Sequence, residues 1–102
     1  MDNNHRLIWI GGKIVPVAEA TVNVLSPTSQ FGANVFEGIR CYWSEQDQQL
    51  YAFRLADHYK RLQNSIKILR FNSPYSTSDF QQGLIDVVKA NGYREDIAVR
   101  QI

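Results

Sequence analysis

Cysteine is nearly missing from this sequence: Cys41 is the only one among 102 residues. A single thiol excludes an internal disulfide framework and fits a reducing, cytoplasmic setting. The histidines, His5 and His58, stand isolated, so no zinc-type ligand spacing exists and a metal site is not expected. An excess of one charge is missing too, with 11 Lys and Arg against 10 Asp and Glu for a net charge of +1. Basic residues are scattered among acids, which excludes the electrostatic footprint of a nucleic-acid or anionic-membrane binder. No apolar run approaches the roughly 20 residues of a membrane span. The start, "MDNNHRL", is polar and leads into no signal-peptide core. Repeats, low-complexity tracts and linkers are absent. So are the phosphate-binding and nucleophile motifs G-x-x-x-x-G-K-[ST], G-x-G-x-x-G and G-x-S-x-G.

What is present is an ordinary globular composition, 44% apolar. That length suits one small domain, or a piece of a larger protein, of marginal stability. "LIWIGGKIVPV" places two apolar runs around Gly11-Gly12, a hairpin signal. "TVNVL" alternates and predicts a strand. Ser26-Pro27 fits an N-cap with proline at the first helical position, so a short helical turn is expected over 27–33, broken at Gly32. Residues 35–43 predict a strand, paired as a hairpin with "LYAFR" across the polar loop "SEQDQQ".

From Leu55 the period changes. Leu55, Tyr59, Leu62, Ile66 and Leu69 recur at helical spacing, predicting an amphipathic helix of about four turns. Asn72-Ser73-Pro74 punctuates it. A second helix is expected near Ser78, with Ser78 and Gln81 as a capping box, burying Phe80, Leu84, Val87 and Val88 and ending at Asn91-Gly92. "DIAVRQI" returns to extended structure and reaches the last residue without a turn or polar tail. That is the pattern of a chain cut within an element, with a natural terminal edge strand as the alternative. Strands first and helices second predict an α+β fold: a small antiparallel sheet with two main helices.

Alternation on the 35–43 strand puts Val35, Glu37, Ile39, Cys41 and Trp43 on one face and Phe36, Gly38, Arg40 and Tyr42 on the other. The second face combines an aromatic ring, a gap and a cation. Glycine in a strand marks close approach by a ligand or a second backbone, or else a bulge. Along the first helix, Asp57, His58 and Arg61 share the polar side. Either they form a solvated face with a helical ion pair, or Arg61 captures an anion through its planar guanidinium. Arg100 sits in a strand that otherwise reads as buried and needs an acidic partner or a ligand carboxylate. Cys41 has no base beside it and reads as a core or pocket residue.

The ordered series "IWIGGKIVP", "FGANVFEGIR", "FRLADHYKRLQNSIKI" and "AVRQI" resembles the branched-chain amino acid aminotransferases, class IV enzymes of pyridoxal-phosphate fold type IV. The likeness runs from about residue 7 to the end, and "VFEGIR" is its most specific part. Related D-amino acid aminotransferases and aminodeoxychorismate lyases differ at that place.

The resemblance implies that residues 1–102 are the N-terminal small domain, with the large domain and its cofactor-bearing lysine outside the chain. Lys13, Lys60, Lys67 and Lys89 lie in no matching context, so the chain alone is not expected to be active and offers no catalytic residue. The resemblance assigns Arg61 to the phosphate of pyridoxal 5'-phosphate. It assigns Phe36, Gly38, Arg40 and Arg100 to the substrate wall, with Arg100 receiving the distal carboxylate of glutamate in many bacterial members. Phe31 falls where a tyrosine usually reaches into the partner subunit's site, which implies a homodimer. Amino acids and 2-oxo acids are the implied substrates, with no nucleic-acid or membrane partner. Phe31 lacks the tyrosine hydroxyl, Ala98 stands where tyrosine is usual and Gln101 replaces a proline, so the substrate preference departs from the pattern. The other reading of the chain is a stand-alone, non-catalytic α+β module that dimerises or binds a small anion.

Overall fold

A computed structural model describes residues 5–102. Strands β1 (Leu7–Ile10) and β2 (Lys13–Pro16) form an antiparallel hairpin with Ile10 opposite Lys13. Its two-residue turn needs positive φ at both positions, which Gly11 at 58° and Gly12 at 81° supply.

"TVNVL" is not a strand. After a short 3-10 turn at Val17–Glu19 the chain runs irregular, and Val22, Val24 and Leu25 are exposed. Asn23 decides this locally: its Oδ1 accepts the Leu25 N–H at 2.7 Å and its carbonyl accepts the Ser26 N–H at 3.0 Å. A side chain that satisfies its own backbone closes a turn where none of the described strands pairs with the segment. Helix α1 (Pro27–Phe31) follows, capped by Ser26 and stopped by left-handed Gly32 as the sequence predicts.

Strands β3 (Glu37–Ser44), β4 (Gln49–Ala52) and β5 (Ile97–Gln101) form an antiparallel sheet in the order β4-β3-β5. Helices α2 (Leu55–Ile68) and α3 (Thr77–Asn91) lie against one face of it. The cap of helix α3 lies two residues before the expected one. Ser76 and Asp79 form the capping box, with Ser76 N–H donating to Asp79 Oδ2 at 2.8 Å and Asp79 N–H to Ser76 Oγ at 3.1 Å. A carboxylate at the third position answers the helix dipole better than the neutral amide of Gln81.

Ile39, Cys41, Tyr59, Leu62, Phe80 and Leu84 make the core, with Leu55, Ile66 and Val88 packed around it. Leu69, read as part of this stripe, is half exposed because α2 ends one residue earlier. Burial pushes the Cys41 thiol up and the Tyr59 hydroxyl up to about 12. Tyr59 donates to the Phe80 carbonyl at 3.0 Å, and Gln101 Nε2 donates to the same oxygen at 2.7 Å. Gln101, where the resemblance expects proline, thus ties β5 to α3.

Two contacts hold the hairpin on α3. The Asn91 amide pairs with both backbone groups of Leu7, its Oδ1 accepting at 2.9 Å and its Nδ2 donating at 2.9 Å. A Cβ placed on Gly83 would lie 3.0 Å from the Trp9 ring, so only glycine lets the indole approach that closely.

Candidate functional site

Strand β3 alternates buried and exposed residues from Glu37 to Tyr42, which confirms the two faces read from the sequence. The outer face carries Phe36, Gly38, Arg40 and Tyr42, extended by Tyr51 and Phe53 of the β4 side. Gly38 pairs with Arg100, and Arg40 pairs with Ala98. The ladder is continuous through Gly38, so no bulge forms, and none of the described residues lies within 4 Å of where its Cβ would be. The glycine leaves an open notch.

Arg100 is not enclosed in the sheet as its strand suggested. Strand β5 alternates half-buried and exposed residues, and Arg100 is on the exposed side. Its guanidinium carbon stands 4.9 Å from the centre of the Phe36 ring, a cation–π contact that leaves the charge open to solvent. Tyr42 and Phe53 meet edge to face at 6.2 Å. Phe36, Gly38, Arg40 and Arg100 therefore share one surface of aromatic rings, a notch and two cations. Phe31 is apart from them, at the end of α1 and 79% exposed.

The inner face begins with Glu37, a charged residue only 4% exposed. Its carboxylate accepts three hydrogen bonds from α2. Arg61 Nε donates to Oε2 at 2.8 Å and Arg61 Nη2 to Oε1 at 2.7 Å, while His58 Nδ1 meets Oε1 at 2.8 Å. The Arg61 fork holds the Glu37 carboxyl below its ordinary range; burial opposes that shift and the His58 bond adds to it. The same contact raises the Arg61 guanidinium, which stays charged. An ion pair does form at the start of α2, but between Arg54, just before the helix, and Asp57, Nε to Oδ2 at 2.8 Å, rather than with Arg61.

Sequence reasoning placed Glu37 on the face opposite Phe36 and Arg40 and missed what it binds. The signal was present, since an acid at an inward strand position needs donors, and His58 and Arg61 sit three residues apart on one side of a helix.

Arg61 remains 69% exposed although its edge is pinned on a buried acid. Its Nε and Nη2 are engaged and its Nη1 has no protein partner among the described residues. It opens onto a shallow depression of about 610 Å³ lined by Asp57, Lys60, Arg61, Gln63, Asn64 and Lys67. Three cations against one acid, with guanidinium donors turned outward, fit a phosphate group.

Comparison with known proteins bears on the fold and the family. The model of the amino-transferase class IV family matches residues 34–101. A probable branched-chain-amino-acid aminotransferase of Aquifex aeolicus is 35% identical over 91 residues, covering 89% of this chain and 29% of that protein. The branched-chain aminotransferase of Thermoproteus uzoniensis, solved with norvaline, superposes with a TM-score of 0.86 at 42% identity, over 93% of this chain and 31% of that one. The branched-chain amino acid aminotransferase of Thermobaculum terrenum, solved in its PLP form, superposes with a TM-score of 0.83 at 35% identity, over 97% and 32%. The chain spans less than a third of the length of these relatives. With fold and sequence in agreement, this chain belongs to the class IV aminotransferase family.

Proposed function

We propose that this chain is the N-terminal small domain of a pyridoxal-phosphate aminotransferase that moves an amino group between an apolar, branched-chain-type L-amino acid and a 2-oxo acid such as 2-oxoglutarate. The observation that carries this reading is the exposed Arg61 guanidinium, pinned on buried Glu37 beside a cationic depression. Arg61 holds the cofactor phosphate. Phe36 contacts the apolar side chain of the substrate, and the Gly38 notch gives it room. Arg100, stacked on Phe36, receives the second carboxylate of a dicarboxylic substrate, and Arg40 supports the wall beside it. When bound, the cofactor supplies an electron sink for the carbon that loses its proton.

The family match favours this reading over a stand-alone, non-catalytic module. The enzyme works as a cytoplasmic homodimer in which exposed Phe31 reaches the neighbouring subunit's site, adding an apolar surface where a hydroxyl is usual.

The enzyme that carries this chain is expected to show a yellow absorbance that borohydride removes, and to turn over valine, leucine and isoleucine with 2-oxoglutarate. A colourless protein without turnover overturns the reading. Substituting Arg61→Ala should weaken cofactor retention; unchanged retention removes Arg61 from the phosphate site.

A further inference from the structure

Arginine is a costly residue with which to hold a ligand. Its long side chain carries considerable rotamer entropy, and a free, solvated Arg61 would lose it on binding. Here that ordering is already in place. Two of its nitrogens are fixed on Glu37 at 2.7 and 2.8 Å, and His58 meets Oε1 from the same helix at 2.8 Å. Glu37 is itself buried, as the 4% exposed first residue of β3, in register with Gln101. A guanidinium has five N–H donors in a rigid fork, so one edge can be held while the remaining donors face outward.

We propose that Glu37 is the positioning residue of the phosphate site: its buried carboxylate, steadied by His58, aims Arg61 so that the free part of the guanidinium meets the phosphate already ordered. This rests on the reading of Arg61 as the phosphate ligand. The carboxylate has an opposing effect as well, since its negative charge offsets part of the attraction between Arg61 and an anion. Positioning wins if ordering outweighs that offset, and the sign of one measurement decides it. Phe36 and Gly38 flank Glu37 in the chain and face the other way, so β3 fixes the phosphate arginine and the substrate wall together.

The test compares affinities for pyridoxal 5'-phosphate and for pyridoxal, which lacks the phosphate, in the enzyme that carries this chain. Their ratio isolates the phosphate contribution from general damage to the fold. Arg61→Ala should collapse the ratio. Glu37→Ala should lower it about tenfold, the loss expected when an ordered charge-assisted contact becomes mobile, and Glu37→Gln by less, because its amide oxygen still accepts from Arg61. In the Arg61→Ala background, Glu37→Ala should leave the ratio unchanged. If Glu37→Ala does not fold, the Glu37→Gln ratio decides. A ratio that holds or rises in the Glu37 variants while Arg61→Ala collapses it overturns the positioning role alone. A ratio that survives Arg61→Ala overturns the phosphate assignment itself.

Discussion

Glu37 and Arg61 join strand β3 to helix α2 through two parallel hydrogen bonds, Nε to Oε2 at 2.8 Å and Nη2 to Oε1 at 2.7 Å. The carboxyl titrates below its ordinary value of 4.5 in the folded protein and near it in the unfolded chain. An acid whose folded value is depressed stabilises fully above the unfolded value and loses that contribution as pH falls through the folded one. Stability should therefore decline more steeply below about pH 4.5 in the parent protein than in Glu37→Gln. Denaturation midpoints measured across that range check it; parallel curves would show that the pair carries no acid sensitivity.

Gly38 has open space above it and an unbroken ladder through it. Valine there should fold as well as glycine, since β-branched residues suit strands and no neighbour is displaced. If the notch receives substrate, Gly38→Val should raise KM for branched amino acids several-fold while melting stays level. Unchanged KM would show that substrate does not use the notch.

Gly83 sits inside α3, where alanine is ordinarily better by about 1 kcal/mol. Its missing Cβ would meet Trp9 at 3.0 Å, so Gly83→Ala is expected to gain no stability alone. The gain should return when Trp9→Ala is the background. Thermal melts of the four proteins measure this coupling.

Asn91 imitates a strand neighbour for Leu7, giving and accepting one hydrogen bond. Alanine would leave both backbone groups without a partner, at a cost of about 1–3 kcal/mol. Asn91→Asp keeps the acceptor but removes the donor and adds a negative charge at the helix C-terminus, the unfavourable end. Asn91→Ala should speed amide exchange at Leu7 more than at Ile39 in the core, and Asn91→Asp, which keeps the acceptor for that N–H, by less.

Much of the fold was legible because its signals are local. Ser26-Pro27 and Gly32 bound α1, Gly11-Gly12 turn the hairpin, and the change of period at Leu55 separates sheet from helix. Where two local signals competed, the reading failed. Alternation in "TVNVL" lost to Asn23, and the Ser78 cap lost to Ser76 with its charged partner Asp79. Phe36, Gly38 and Arg40 were readable as one face through period-two spacing, and the family resemblance added Arg100, which the structure places on the same surface.

By itself the sequence determined which face each β3 residue takes, because alternation is a property of the extended backbone. It placed the starts of α1, α2 and α3 to within two residues, by capping chemistry for α1 and α3 and by the change of period for α2. Only the tertiary structure decided who meets whom across elements. Glu37 binds Arg61, 24 residues away, while Asp57 binds Arg54. Both acids were available to Arg61 by charge. Burial of β3 against α2 chose between them, since a carboxylate shut away from water must find donors and an exposed one need not.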